Sequence, residues 1–471
     1  MTFAKKPHPN ALKSLTNVTP FPFWLDDPNR PEPEATLTNA ISTDLLIIGG
    51  GFSGLWTALL AKEINPSRDI VLIEAGETGC AASGRNGGFI VASLTHGFEN
   101  GLKRWPNELA TLISLGHSNL QAISETIQRY NIDCDFLPSG ELTVATEPYQ
   151  VESLRSAALS AAPYGEKYEW LEQDMIRRQV NSPSYLGALF NPHCAMANPA
   201  RLVWGLRKAC LATGVRIFEH TPAMGMNNEA KSILVKTPYG SIRANRVALG
   251  TNAFKPLLNR LSNYIVPVYD YALMTEPLSS SQREEIGWHG RQGIGDSGNQ
   301  FHYYRTTQDG RILWGGYDAI YYWNNGVNPL LEINWESFER LAGHFFETFP
   351  QLDGIRFTHA WGGAIDTCSR FSPFWGKAFG GKLAYSIGFT GLGVGATRFG
   401  AQIMLDLLDG RQSERNSLKM VVTKPTPFPP EPARSAVINI TRWSLDQADQ
   451  HQGRRNLWLK TLDAFGLGFD S

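Results

Sequence analysis

The chain has few groups that crosslink. Its five cysteines, Cys80, Cys134, Cys194, Cys210 and Cys368, are scattered and odd in number, and they form no CxxC pair. A disulfide scaffold is therefore not expected, nor is a metal site, and a reducing cytoplasm is the expected compartment. Neither sign of charge dominates: 43 Lys and Arg face 44 Asp and Glu. No net field draws the protein to nucleic acid or to an anionic membrane. Long apolar runs are also missing. Leu45 to Ala61 carries no charge, but it is interrupted by four glycines and is shorter than the roughly 20 residues a membrane span needs. The N-terminal MTFAKKPHPNALKSL has basic residues without an apolar core behind them, so no secretory signal is expected. There is no HExxH and no Ser/His/Asp order, which argues against hydrolase chemistry, and no internal repeat or low-complexity tract.

What is present begins with a buried-strand pattern, Asp44-Leu45-Leu46-Ile47-Ile48. It runs directly into Gly49-Gly50-Gly51-Phe52-Ser53-Gly54, then a helical stretch from Leu55 to Ile64 and a second strand, Asp69 to Glu74. Such a βαβ unit is the context that a GxGxxG fingerprint requires. Gly49 permits the tight turn, Gly51 lets backbone approach a pyrophosphate, and Gly54 lets helix and strand pack closely. Phe52 and Ser53 open the helix, whose N-terminus offers N–H groups and a positive dipole end to phosphate. Glu74, twenty residues past Gly54 and followed by Ala75, is placed to accept hydrogen bonds from ribose hydroxyls.

That much specifies a dinucleotide and leaves FAD and NAD open. Two further segments decide between them. Gly79 to Phe89 contains Ser83-Gly84-Arg85-Asn86-Gly87-Gly88, whose small residues leave backbone N–H groups free. Gly388 to Gly395, including Thr390-Gly391-Leu392-Gly393-Val394, opens a second helix that faces the ring end of a flavin.

In these segments, together with Trp361-Gly362-Gly363-Ala364-Ile365-Asp366, the sequence resembles the D-amino-acid-oxidase-like FAD oxidoreductases. It is most similar to the branch of glycine oxidase, sarcosine oxidase and gamma-glutamylputrescine oxidase, over about residues 20–410. The resemblance implies an α/β fold with a Rossmann-type FAD domain built from 43–110, 195–262 and 355–412. A discontinuous β-rich substrate domain would comprise 111–194 and 263–354, with an extended arm over 1–42 and a tail over 413–471. It also implies an adenine contact at Ala223 and a return strand ending in Gly250-Thr251-Asn252 that closes over the cofactor. Covalent attachment is not expected, because neither the early segment nor the C-terminal loop offers a suitable His or Cys.

The implied reaction is oxidation of the C–N bond of an amine or amino acid to an imine, by hydride transfer to flavin N5. Oxygen then reoxidises the cofactor to give peroxide. A dehydrogenase using a quinone or carrier protein, and a flavin-binding scaffold without activity, remain open, as does the oligomeric state. Substrate-side candidates are Tyr269 and Tyr271, which share a strand face, with Tyr304, Arg305, Trp361 and Asp366. Tyr303 and Trp314 to Tyr317 belong to the same aromatic stretch. Arg305 or Arg370 could clamp a carboxylate, and Asp366 could hold a distal amino group or merely cap a turn. The basic, aromatic stretch Arg454 to Leu459 reads either as a partner-docking helix or as one packing back on the body.

Overall fold

The computed structural model describes residues 8–467. Strand Ala40–Ile48 pairs in parallel with Ile70–Ile73 on one side and with Ser241–Leu249 on the other. Among the described residues the first sheet has eight strands. Its central path runs Phe374–Ala378, Leu383–Ile387, Ser241–Leu249, Ala40–Ile48, Ile70–Ile73 and Arg216–Phe218. The unbroken apolar run in the first strand has a direct cause. Leu45 and Ile47 pack under helices Phe52–Ile64, Pro199–Ala212 and Gly393–Asp409, while Leu46 and Ile48 pack into a second core on the opposite face. A parallel strand buried on both faces needs apolar residues at every position.

Among the described residues the second sheet has nine strands, and it alternates. Leu142, Val144, Ile294, Tyr304, Trp314 and Leu273 point into an aromatic core completed by helix Trp335–Thr348. Their sequence neighbours point the other way, toward the first sheet. Strand Phe357–Thr367 pairs with Val266–Thr275 in this second sheet, so the segment grouped from sequence as 355–412 contributes strands to both sheets.

Local readings differ in three places. Cys134 to Ala145 is not a hairpin. Glu141–Ala145 pairs with Gly187–Asn191 and Gly293–Asp296, while Leu137 bridges to Met196. The stretch 150–180 is helical only in part, because strand Glu169–Glu172 separates helices Pro148–Ala161 and Gln173–Gln179. The arm is not wholly extended: it carries a short helix, Ala11–Ser14, and buries Trp24 beneath the Arg305 guanidinium, 5.8 Å from the ring centroid. The tail forms helices Ala433–Gln450 and Leu457–Ala464, and Leu459 is buried, so the Arg454 to Leu459 stretch packs back on the body. No helix among the described residues is long and apolar enough to cross a membrane.

Candidate active site

A cavity of about 1090 Å³ runs between the two sheets. That is at the upper end for sites that enclose one organic ligand. At one end Gly49 turns with φ 113°, and a Cβ there would lie 2.4 Å from the carbonyl oxygen of Gly250. A Cβ on Gly54 would lie 1.9 Å from the Gly49 carbonyl oxygen, so only glycine lets helix Phe52–Ile64 start this close to its strand. Gly51 caps that helix with no side-chain hydrogen bond, and Ser83 Oγ accepts from the Phe52 N–H at 2.9 Å. Glu74 accepts from the N–H of Gly50 at 2.6 Å and of Gly76 at 2.9 Å. Burial raises its pKa above the ordinary value, and the backbone donors offset part of that effect.

Most of the loop positions named from sequence line this cavity. Gly49, Gly51, Phe52 and Ser53 do so, as do Glu74 and Ala75. So do Ser83, Arg85, Asn86 and Gly87 from the following segment. Ala223, the run Gly250 to Asn252 and the run Thr390 to Val394 complete the wall. Three glycines do their work behind it instead. Gly54 packs on Gly49, Gly84 on the Gly79 carbonyl, and Gly88 on the Ala197 carbonyl. Three polar atoms of cavity-lining residues, Ser53 Oγ, Asn252 Oδ1 and Ser386 Oγ, are buried without a hydrogen-bond partner among the described residues.

The substrate-side candidates divide. Trp361 lines the cavity and donates from Nε1 to the Arg85 carbonyl at 2.9 Å. Asp366 also lines it, but its Oδ2 accepts from the N–H groups of Gly388 at 2.6 Å and Phe389 at 3.2 Å. It anchors the Gly388–Gly395 loop, and burial pushes its carboxyl up to about 7. Tyr269 and Tyr271 do share a face, and that face belongs to the aromatic core, although Tyr271 also borders the cavity. Tyr269 Oη contacts the backbone of Asn328, and Tyr271 Oη pairs with Tyr322 Oη at 2.8 Å while donating to the Leu331 carbonyl. Tyr304 points to the same core, its hydroxyl 2.8 Å from that of Tyr185. The guanidinium of Arg305 donates to the Ala197 carbonyl at 2.7 Å, and that of Arg370 to the carbonyls of Ser372, Thr423 and Met420. Both arginines are spent on backbone, and neither belongs to the cavity wall.

The residue between the two tyrosines takes the place assigned to them. Strand Val266–Thr275 alternates, so Val268, Asp270 and Ala272 face the cavity. Tyr303 Oη donates to Asp270 Oδ2 at 2.7 Å, and Asp270 Oδ1 accepts from the Tyr271 N–H at 2.7 Å. Burial pushes the Asp270 carboxyl up to about 7, with the Tyr303 bond holding it from rising further and Asp318 adding repulsion. The Tyr303 ring lies against two glycines, where a Cβ would meet it at 2.9 Å on Gly87 and 2.7 Å on Gly315. Phe89 meets the ring edge-on at 6.0 Å between centroids. The sequence signal for this pair is the period of two: with Tyr269 and Tyr271 in the core, Asp270 must point at the cavity.

Two more half-buried groups line the same space. Glu141 is pushed up to about 7, and His96 down to about 4, both by burial. The tail helices cover the mouth, with Ile438, Leu445, Leu459 and Leu462 turned inward. Asp449 fastens the first of them, accepting from the N–H groups of Asn299 at 3.0 Å and Gln300 at 2.9 Å.

Residues 44–407 match the family described as FAD dependent oxidoreductase, DAO. The chain belongs to that family. It is an FAD-dependent oxidoreductase. Among curated relatives, gamma-glutamylputrescine oxidoreductase of Escherichia coli is 30% identical over 394 residues, covering 82% of this chain and 88% of that protein. The probable oxidoreductase OrdL of Haemophilus influenzae is 26% identical over 404 residues, covering 84% and 89%. The fold is that of glycine oxidase from Geobacillus kaustophilus, with a TM-score of 0.67 at 16% identity over 81% of this chain and 98% of that one.

The cavity fits FAD. Its glycine loop has no room for a Cβ at Gly49 or Gly54, and a helix N-terminus whose cap residue is the side-chain-less Gly51 opens onto it beside the unpartnered Ser53 hydroxyl. Gly49 to Ser53 and Glu74 would hold the ADP half, and Arg85 to Gly87 with Thr390 to Val394 the flavin half.

Proposed function

We propose that this enzyme oxidises the C–N bond of an amine or amino acid to an imine, with oxygen as the acceptor and hydrogen peroxide as product. The observation that carries the reading is the Asp270–Tyr303 pair in the cavity wall. Bound FAD supplies a two-electron acceptor for the hydride on the carbon next to nitrogen. The protein must deliver that nitrogen uncharged, because an ammonium has no lone pair to push electrons toward the departing hydride. Asp270, pushed up to about 7, is matched to take a proton from a substrate ammonium near neutral pH. Tyr303 orients the carboxylate by donating to Oδ2 while the Tyr271 N–H donates to Oδ1, and Asp270 lines the cavity where the substrate nitrogen would sit. Trp361 and Phe89 exclude water around it, which further favours the neutral amine. The imine leaves and is hydrolysed by water.

FAD is bound noncovalently in this reading. The Cys368 thiol donates to the carbonyl of Ser372, behind the Gly388–Gly395 loop, and Cys80 stands beside Glu74 at the adenine end. Acid precipitation should release the flavin into the supernatant, whereas yellow pelleted protein contradicts this part.

The acceptor is tested by turnover of an amine panel in air with a peroxide assay, beside the same panel with an artificial dye. Peroxide in step with amine consumption supports oxygen. Dye reduction without peroxide in air rejects it in favour of a carrier or quinone.

A further inference from the structure

Away from the cavity, one group of His, Cys, Asp and Glu side chains among the described residues brings three donor atoms together. His117 comes from helix Leu109–Arg129. Glu166 follows Gly165, whose φ of 94° turns the chain out of the short helix Ala162–Tyr164. His193 lies between strands Gly187–Asn191 and Cys194–Met196, where Asn191 Oδ1 accepts from its N–H at 2.9 Å. Glu166 Oε2 is 3.3 Å from His117 Nε2 and 3.3 Å from His193 Nδ1. The two imidazoles lie 3.7 Å apart between centroids. Side-chain exposures of 25%, 10% and 26% leave the cluster sheltered but reachable from solvent.

Two arrangements would account for this. In one, both imidazoles donate N–H bonds to the same Glu166 oxygen, which crowds two donors onto one acceptor and stacks the rings. In the other, the three atoms ligate a cation. Zinc sits about 2.0–2.2 Å from nitrogen and oxygen ligands, so neighbouring donors of a tetrahedral site are about 3.3–3.5 Å apart. Both N–O edges here have that length, whereas the imidazoles, stacked at 3.7 Å between centroids, must fan apart to aim both nitrogens at one ion.

We propose that His117, Glu166 and His193 bind a divalent transition-metal ion of the zinc class, with water at the open fourth position. Two nitrogens and one oxygen, without thiolate, suit that class. The ion acts as a fastener. Ala92 donates to the His193 carbonyl at 3.0 Å, and Gly116 packs so closely that a Cβ would lie 2.1 Å from the Ala92 carbonyl oxygen. Phe89–Val91, just before Ala92, pairs with Cys194–Met196, just after His193, and Phe89 and Val91 form part of the cavity wall. The metal thus pins helix Leu109–Arg129 to the back of that wall. The sequence gives no hint of a metal, because the three ligands are spread over 117–193 with no motif spacing.

The test uses the full-length, FAD-loaded protein, stripped with a chelator and titrated with zinc chloride by calorimetry and with cobalt chloride by absorbance. One zinc per chain is expected, with tetrahedral cobalt bands at longer wavelength than the flavin. Glu166→Gln and His193→Asn should each weaken zinc at least roughly tenfold while the flavin spectrum stays unchanged. Equal uptake by the wild type and the triple variant His117→Asn/Glu166→Gln/His193→Asn would overturn the site. If variants fail to fold, a wild-type cobalt spectrum resembling the aqua ion would overturn it alone.

Discussion

The Tyr303 hydroxyl donates a 2.7 Å hydrogen bond to Asp270 in the wall of the FAD cavity, although the two residues lie 33 positions apart on different strands. The tyrosine lowers a carboxyl pKa that burial has raised, so the pair sets where Asp270 titrates. Most of the functional expectations rest on this relationship.

Asp270→Asn removes the proton acceptor while keeping shape. Turnover of the best amine should fall about a hundredfold or more, the usual range for losing a general base. The acid limb of the pH–rate profile, expected near 7 in the wild type, should vanish in the variant. A profile with the same limb in both proteins would assign it to another group.

Tyr303→Phe deletes a donor that favours the ionised carboxylate. The acid limb should move to higher pH, and more substrate should be needed at neutral pH. Steady-state rates from pH 5 to 9 read this directly. A shift to lower pH would contradict the assignment.

Stability should depend on pH with a definite sign. Asp270, Asp366 and Glu141 titrate at about 7 in the folded chain, against about 4 in an unfolded one. Between those values the native state holds more protons than the unfolded state, so these groups lower stability as pH rises from about 4 to 7. Asp270→Asn should flatten part of that slope and melt higher than the wild type at pH 8. Thermal melts across this range check it.

Much of the cofactor end is legible in the amino-acid sequence. Gly49, Gly51, Gly54 and Glu74 have fixed spacing because backbone geometry around a pyrophosphate leaves few alternatives. The substrate end is not legible in the same way. Tyr269, Tyr271, Tyr304 and Arg305 draw notice by residue type, yet all four are buried against protein and of them Tyr271 alone also borders the cavity. Asp270 stands between two of them and escapes notice, because alternation says which residues share a face but not which face meets the ligand. The tail is unreadable for a related reason: its apolar residues cover a cavity that exists only once two sheets have met.

Gly54→Ala should abolish flavin retention with little loss of secondary structure, because its Cβ would lie 1.9 Å from the Gly49 carbonyl oxygen. Purified protein should be colourless, and affinity for added FAD reduced at least roughly a hundredfold, about 2.7 kcal/mol. Flavin fluorescence titration measures it.

Asp449→Ala removes the carboxylate that ties helix Ala433–Gln450 to Asn299 and Gln300. Loosening this cover should speed flavin release on dilution severalfold while leaving the glycine loop intact. Release at the wild-type rate would mean that the tail helices do not close the site.

The central claim is that this cavity presents an amine to FAD beside Asp270. Anaerobic mixing of the wild type and Asp270→Asn with amines, diamines, N-methyl amino acids and 2-hydroxy acids tests it most directly. At least one amine should bleach the wild-type flavin absorbance, with bleaching about a hundredfold slower in the variant at pH 7. Bleaching only by 2-hydroxy acids, or equal rates in both proteins, would contradict it.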